Sequence, residues 1–179
     1  MIYFWFALLV PFELFFTLIA LILAPLLPLF ASVSYGYINN SSATGFGPRL
    51  PNWLNWFQTW DNSLWGDSGF QAENGTSYLS MVKWLIRNPL PCFAEKILTN
   101  GAFTVQGNNA VTDNTKSVAG TVLVKAGGLF QWVWIWQIPG TSRCIYINLG
   151  WNIRALTQGA TTPYHATFSF SPRISGFLP

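Results

Sequence analysis

The sequence predicts an α+β fold: an N-terminal transmembrane helix, kinked or folded into a short hairpin, then a helical segment and an antiparallel β-sheet domain. Three observations predict it. Residues 2–33 are almost wholly apolar, residues 76–87 carry an apolar stripe at helical spacing, and from about residue 101 the apolar period falls to two. Composition points the same way. Of 179 residues, 51% are hydrophobic and 8% charged, against about 25% charged in an average soluble domain. This excludes an ordinary soluble cytosolic domain, and also a disordered chain, which would be polar and highly charged. The expected organisation is a membrane anchor over 1–33, a linker over 34–50 and a Trp-rich helical segment over 51–100. That segment forms one domain with a β-rich stretch over 101–179.

The anchor reads IYFWFALLVPFELFFTLIALILAPLLPLFASV, with Glu13 its one charged residue. A helical crossing needs about 20 predominantly apolar residues. An unbroken helix over all of it would be roughly 48 Å long at 1.5 Å per residue, beyond a hydrocarbon core of about 30 Å. Pro11, Pro25 and Pro28 interrupt it. The expected threading is an interfacial piece over residues 2–11 and a span over residues 15–33, with a tight helical hairpin as the alternative. It keeps Glu13 near the headgroups, away from a mid-membrane cost of about 2.5–3.5 kcal/mol. It also sets Tyr3 and Trp5 at the interface, where amphipathic rings are favoured. A cleaved secretory signal fits poorly, since no positive charge precedes the apolar run and the run is about twice the usual length. Arg49, the one cation within some 20 residues after the span, points the C-terminal domain to the cytoplasm.

Residues 34–50 are rich in Ser, Asn and Gly and read as a linker or ordered loop. In the following LPNWLNWFQTWDNSLWGDSGFQ, Trp53, Trp56 and Trp60 fit one face of a short helix, either on a membrane surface or docked on a sheet. The Asp61–Asp67 stretch begins like a calcium loop but has Trp65 and Ala72 where ligands are needed, so it reads as a turn. Residues 76–87 form the expected soluble helix, capped by Thr76 or Ser77 and stopped at Asn88-Pro89. Tyr78, Met81, Val82, Leu85 and Ile86 supply its apolar stripe.

Strands are expected at Phe103 and Val105, over 118–124, over 130–138 and over 143–149, the last two joined as a hairpin through Pro139-Gly140. Further strands are expected over 151–156 and 164–170. Phe130, Trp132, Trp134, Trp136 and Ile138 share one face. The ladder reads first as one side of a packed core, and second as a membrane or partner contact. Nucleic acid is not an expected partner. Stacking aromatics need interleaved positive charge, and residues 126–142 have none.

The chain carries little catalytic equipment. His165 is its one histidine, and no GxSxG, P-loop or GxGxxG motif occurs. Cys92 and Cys144 are expected to stay reduced if the domain is cytoplasmic, with one bridge as the alternative in an oxidising compartment, and neither lies in an electropositive setting that would activate it. A two-carboxylate hydrolase would have only Asp61, Asp67, Glu73, Glu95 and Asp113 to draw on, with Asp61 and Asp67, or Asp67 and Glu73, as the nearest pairs. No enzymatic activity, metal or cofactor is therefore expected.

Four stretches, MIYFWFALLVPFELFFTLIALILAPLLPLFA, LPNWLNWFQTWDNSLWGDSGF, YLSMVKWLIRNP and RCIYINLGWNI, resemble a family of small, uncharacterised membrane-anchored proteins encoded by tailed bacteriophages. The chain departs from that pattern with Trp60 in place of a Pro and Asn152 in place of a Lys. The resemblance implies phage origin and a host-membrane setting, with no activity to carry over. The resulting expectation is a non-enzymatic protein of the bacterial inner membrane, with its C-terminal domain cytoplasmic. It would act on an unknown host or phage protein through contacts drawn from Trp5, Glu13, Trp53, Trp56, Trp60, Trp132, Trp134 and Trp136. A structural or ejected component of the virion is the alternative, and a membrane-tethered hydrolase a weaker one.

Overall fold

A single helix, α1 (Ile2–Leu23), takes up most of the apolar leader. The computed structural model describes residues 1–36, 45–112 and 116–177. At 1.5 Å per residue α1 is about 33 Å long. It runs through Pro11, so the expected break between residues 11 and 15 does not occur. The missing N–H of Pro11 costs one hydrogen bond, and the helix-forming sequence on both sides continues past it. The expected extension to residue 33 does not occur either. Pro25 and Pro28 follow the last turn, Leu27–Phe30 forms a 3-10 turn with Pro28 in its first positions, and strand β1 (Ser32–Gly36) begins at once. β1 pairs antiparallel with β2 (Gly45–Arg49), from Ser32 opposite Arg49 to Gly36 opposite Gly45. The ends of the expected linker are therefore a β-ladder, while its residues 37–44 lie outside the described residues.

The chain divides into two compact units, Met1–Ala7 with Glu95–Pro179, and Leu8–Ala94. In the Leu8–Ala94 unit the core joins Ala24, Leu27, Leu50, Leu54, Leu64 and Leu85, with Leu23, Ala31, Phe57 and Met81 packed against it. Each buried leucine contributes about 1.5–3 kcal/mol. Helix α2 (Ser68–Asn74) starts at Asp67, whose carboxylate accepts the Phe70 N–H at 2.8 Å. Helix α3 (Tyr78–Arg87) starts at Ser77, whose hydroxyl accepts the Ser80 N–H at 3.2 Å. The inward side of α3 is Val82, Trp84 and Leu85, while Tyr78 and Ile86 are exposed. The expected stripe is rotated because Trp84 packs edge-on against Phe70, with ring centroids 5.0 Å apart. The Arg87 guanidinium lies over both rings.

The other unit is built on a five-stranded antiparallel sheet of order β4-β5-β6-β7-β9, formed by β4 (Phe103–Gly107), β5 (Gly120–Ala126), β6 (Leu129–Gln137), β7 (Arg143–Trp151) and β9 (Phe168–Gly176). Two short strands, β3 (Lys96–Leu98) and β8 (Tyr164–Ala166), pair separately. Gly127 and Gly128, both at positive φ, close the β5–β6 hairpin with the two-residue turn that favours such backbone angles. Two strand expectations change. Trp151 ends β7, and the chain then turns into a 3-10 segment over Arg154–Gln158. The stretch over 164–170 divides between β8 and β9 at Thr167, whose carbonyl accepts the Asn152 N–H at 2.8 Å.

The register assigns the faces. Gln131, Val133 and Ile135 lie opposite Gly150, Asn148 and Tyr146 of β7 and Val124, Val122 and Gly120 of β5. This is the buried face. The ladder of Phe130, Trp132, Trp134 and Trp136 belongs to the other face, where Phe130 is buried, Trp132 and Trp134 are half-buried and Trp136 is 45% exposed. The first reading of the ladder, as core, is thus corrected over most of its length. The β-branched Val133 and Ile135 between the tryptophans are what the core takes.

Gly150 permits this packing. Its φ is +111°, and a Cβ there would collide with the Phe130 carbonyl oxygen. Gly150→Ala should therefore cost at least about 2 kcal/mol, from an angle that L-residues rarely adopt and from the displaced backbone. Thermal unfolding in detergent checks this. An unchanged midpoint would mean that β6 and β7 are not so closely opposed.

Candidate membrane and partner interfaces

The exposed side of α1 is continuous and apolar. Phe4, Leu8, Phe12, Phe15, Leu18 and Ile22 follow one another at helical spacing, and all are exposed. The inward stripe holds Phe6 and Ala20, both buried, and half-buried Glu13 and Phe16 between them. Glu13, the helix's one charged residue, thus stands away from the apolar side. Its carboxylate accepts a hydrogen bond from the Thr17 hydroxyl at 3.4 Å. Trp5 is exposed, with Phe4 against it at 6.1 Å.

Within Met1–Ala7 and Glu95–Pro179, the first turns of α1 cover one end of the ladder face. Phe6 sits 5.3 Å from Phe130, 6.0 Å from Trp151 and 5.1 Å from Phe168, ring centre to ring centre. Tyr3 lies 4.5 Å from Phe130. Within this unit the rest of the face has no such cover among the described residues: Trp134 and Trp136 stand beside Ile145 and Ile147, with Ile174 exposed on β9. The Trp132 indole N–H donates to the Thr121 hydroxyl at 2.7 Å, leaving its ring as an apolar surface with its polar atom satisfied. Exposed Lys125 and Arg143 have the same strand parity as the ladder and stand at its margins.

The tryptophans of the other unit are arranged differently from the expected helical face. Asn52–Phe57 is a 3-10 helix, and three residues per turn bring Trp53 and Trp56 onto one side. Trp60 lies beyond its end and is half-buried. Trp53 is 72% exposed, with Phe30 beside it at 6.0 Å. Trp56 is also exposed and forms a triad with Phe16 and Phe93, at 6.2 and 5.9 Å. Arg49, the residue behind the orientation expectation, is buried in β2, and burial lowers its pKa from the ordinary value. It is part of a folded ladder, unlike a cation free to meet lipid headgroups.

Candidate chemical groups are mostly committed to structure. Asp67 caps α2. Cys92 and Cys144 are both buried, the first donating to the Gln58 carbonyl at 3.0 Å and the second to the Gly176 carbonyl at 3.6 Å. Among the described residues no group of three His, Cys, Asp or Glu side chains could hold a metal ion.

Sequence reasoning missed two polar constructions. His165 Nδ1 meets Glu95 Oε1 at 2.7 Å where β8 pairs with β3. Gln131, 0% exposed, accepts from the Ile153 and Arg154 backbone N–H groups at 2.7 and 2.6 Å, and donates to Asn148 and Asn152. Buried Arg154 in turn donates to the Val111 carbonyl at 3.2 Å and to Asn109 Oδ1 at 2.9 Å. The available signal was an amide in the middle of a strand of large apolar residues, which has to find partners once buried.

A family model described only as a family of unknown function, DUF7338, matches residues 1–175. The chain belongs to DUF7338. The match takes in α1 and all the strands β1 to β7, so the apolar helix lies inside the DUF7338 unit. No curated protein and no solved structure matches this DUF7338 chain. α1 is the one helix among the described residues long and apolar enough to cross a membrane, with mean hydropathy 2.5.

Proposed function

We propose that this protein is a non-enzymatic, phage-encoded integral membrane protein of the bacterial inner membrane that acts by binding a host or phage protein. The observation that carries the membrane part is the uninterrupted apolar side of α1. A patch of that extent in water favours association, and no polar residue breaks it. One feature supports a cytoplasmic folded part: the exposed cations Lys96, Lys125, Arg143 and Arg173 suit the anionic cytoplasmic leaflet.

The uncovered ladder is the partner surface in this reading. Tryptophans in apolar patches dominate protein–protein affinity, and Lys125 and Arg143 provide a charged rim. Alkaline carbonate washing of membranes from infected cells should leave the protein in the pellet, while mass spectrometry of purified virions should not find it. Recovery in virions would favour the structural-component alternative. An amine-reactive cross-linker should give an adduct that depends on Lys125 and is lost in Trp134→Ala/Trp136→Ala, with the thermal midpoint unchanged. An adduct that survives both changes would remove the ladder from this role.

A further inference from the structure

We infer that α1 lies along one leaflet of the bilayer instead of crossing it. The inference rests on the membrane reading above and concerns how the helix is seated. The midpoint of Ile2–Leu23 falls between Phe12 and Glu13. Phe16 is about 5 Å along the axis from that point, and Phe6 about 10 Å on the other side. In an upright helix both would lie inside a hydrocarbon core whose half-thickness is about 15 Å.

Each of these residues holds part of a folded unit, and each taken by itself conflicts with an upright helix. Phe16 packs on Trp56 and Phe93. Trp56 is carried by the 3-10 segment Asn52–Phe57, next to Asn55 and close to Asn52 and Gln58. That backbone and those amides would enter hydrocarbon, where lipid-exposed irregular backbone is not tolerated. Phe6 packs on Phe130, Trp151 and Phe168, which would draw a sheet with exposed Lys125 and Arg143 into the same layer.

A helix lying in the surface plane meets neither difficulty. Phe4, Leu8, Phe12, Phe15, Leu18 and Ile22 then face the acyl chains along its whole length. The inward stripe with Glu13 stays on protein, which replaces the polar half that a free interfacial helix needs. The occupant of the exposed side is thus one leaflet of lipid. No stripe residue carries a charge or a hydrogen-bonding group for a polar partner, and Trp5 and Trp53, exposed in their own units, are residues of the headgroup level.

The test uses the full chain with one epitope ahead of Met1 and a second after Pro179, in right-side-out and inside-out membrane vesicles from expressing cells. Protease is added outside, and each epitope is followed by immunoblot. A leaflet-bound α1 predicts that both epitopes are lost together in one preparation and both protected in the other. Loss of one epitope in each preparation, with carbonate-resistant protein, would overturn the inference and leave the membrane reading intact. Release by carbonate, as a monomer or as an oligomer covering the stripe with a second copy, would overturn both.

Discussion

Phe15→Asp/Leu18→Asp should move the protein from the carbonate-resistant pellet to the supernatant. Both side chains are exposed on α1 and neither belongs to its inward stripe, so the substitutions leave Phe6 and Ala20 in place and take from Phe16 only the Phe15 ring at 5.5 Å, not its contacts with Trp56 and Phe93. On insertion scales each Asp costs about 2.5 kcal/mol or more in the apolar layer. The pair costs about 5 kcal/mol, roughly 10³- to 10⁴-fold in partition. Carbonate extraction followed by immunoblot reads it directly. A double variant still held in the pellet would show that lipid does not meet this side of the helix. Thr17→Asp makes a useful comparison, because its position beside Glu13 on the half-buried side should disturb packing more than partition.

Gln131→Leu should lower stability by about 3–5 kcal/mol. The side chain is fully buried, and its carbonyl oxygen accepts two backbone N–H groups at once, from Ile153 and Arg154. Leucine fills most of the volume but accepts nothing. Each buried N–H left without a partner costs about 1–3 kcal/mol, and Asn148 and Asn152 lose a donor as well. In detergent the thermal midpoint should fall by roughly 10 °C, whereas Trp136→Ala on the opposite, exposed face should leave it nearly unchanged. A fall of less than about 2 °C for Gln131→Leu would mean that water replaces the lost acceptor.

The contrast between those two positions on one strand shows what the sequence made legible. Alternation located β6 and its hairpin with β7, and the α+β class followed from that together with the leader and α3. It could not say which of two apolar faces lay inward, because Val133 and Ile135 alternate with tryptophans of equal apolar character. The answer came from neighbours distant in sequence: Tyr146 and Asn148 across β7, and Val122 and Val124 across β5.

The leader was legible in kind but not in detail. Composition marked it as apolar, yet the effect of a proline depends on its position: Pro11 is carried inside a helix, while Pro25 and Pro28 help to end one. Among the candidate contact residues, Trp53 and Trp56 emerged on one side and Trp60 apart from them. A spacing of three and four fits an α-helix as well as a 3-10 turn until the turn's end is known. Arg49 carried the orientation argument by sequence distance alone, and the fold adds only that it lies opposite Ser32 in a ladder.

The seat of Phe6 also has a bearing on how the chain is made. Phe130, Trp151 and Phe168 are all synthesised more than a hundred residues after it. On the ribosome the turn that carries Phe6 emerges well before them and waits, with nothing of its eventual seat yet in existence. Closing so long a loop is slow in its own right, which leaves time for the greasy newcomer to meet a bilayer or a chaperone before it meets the strands it will rest on.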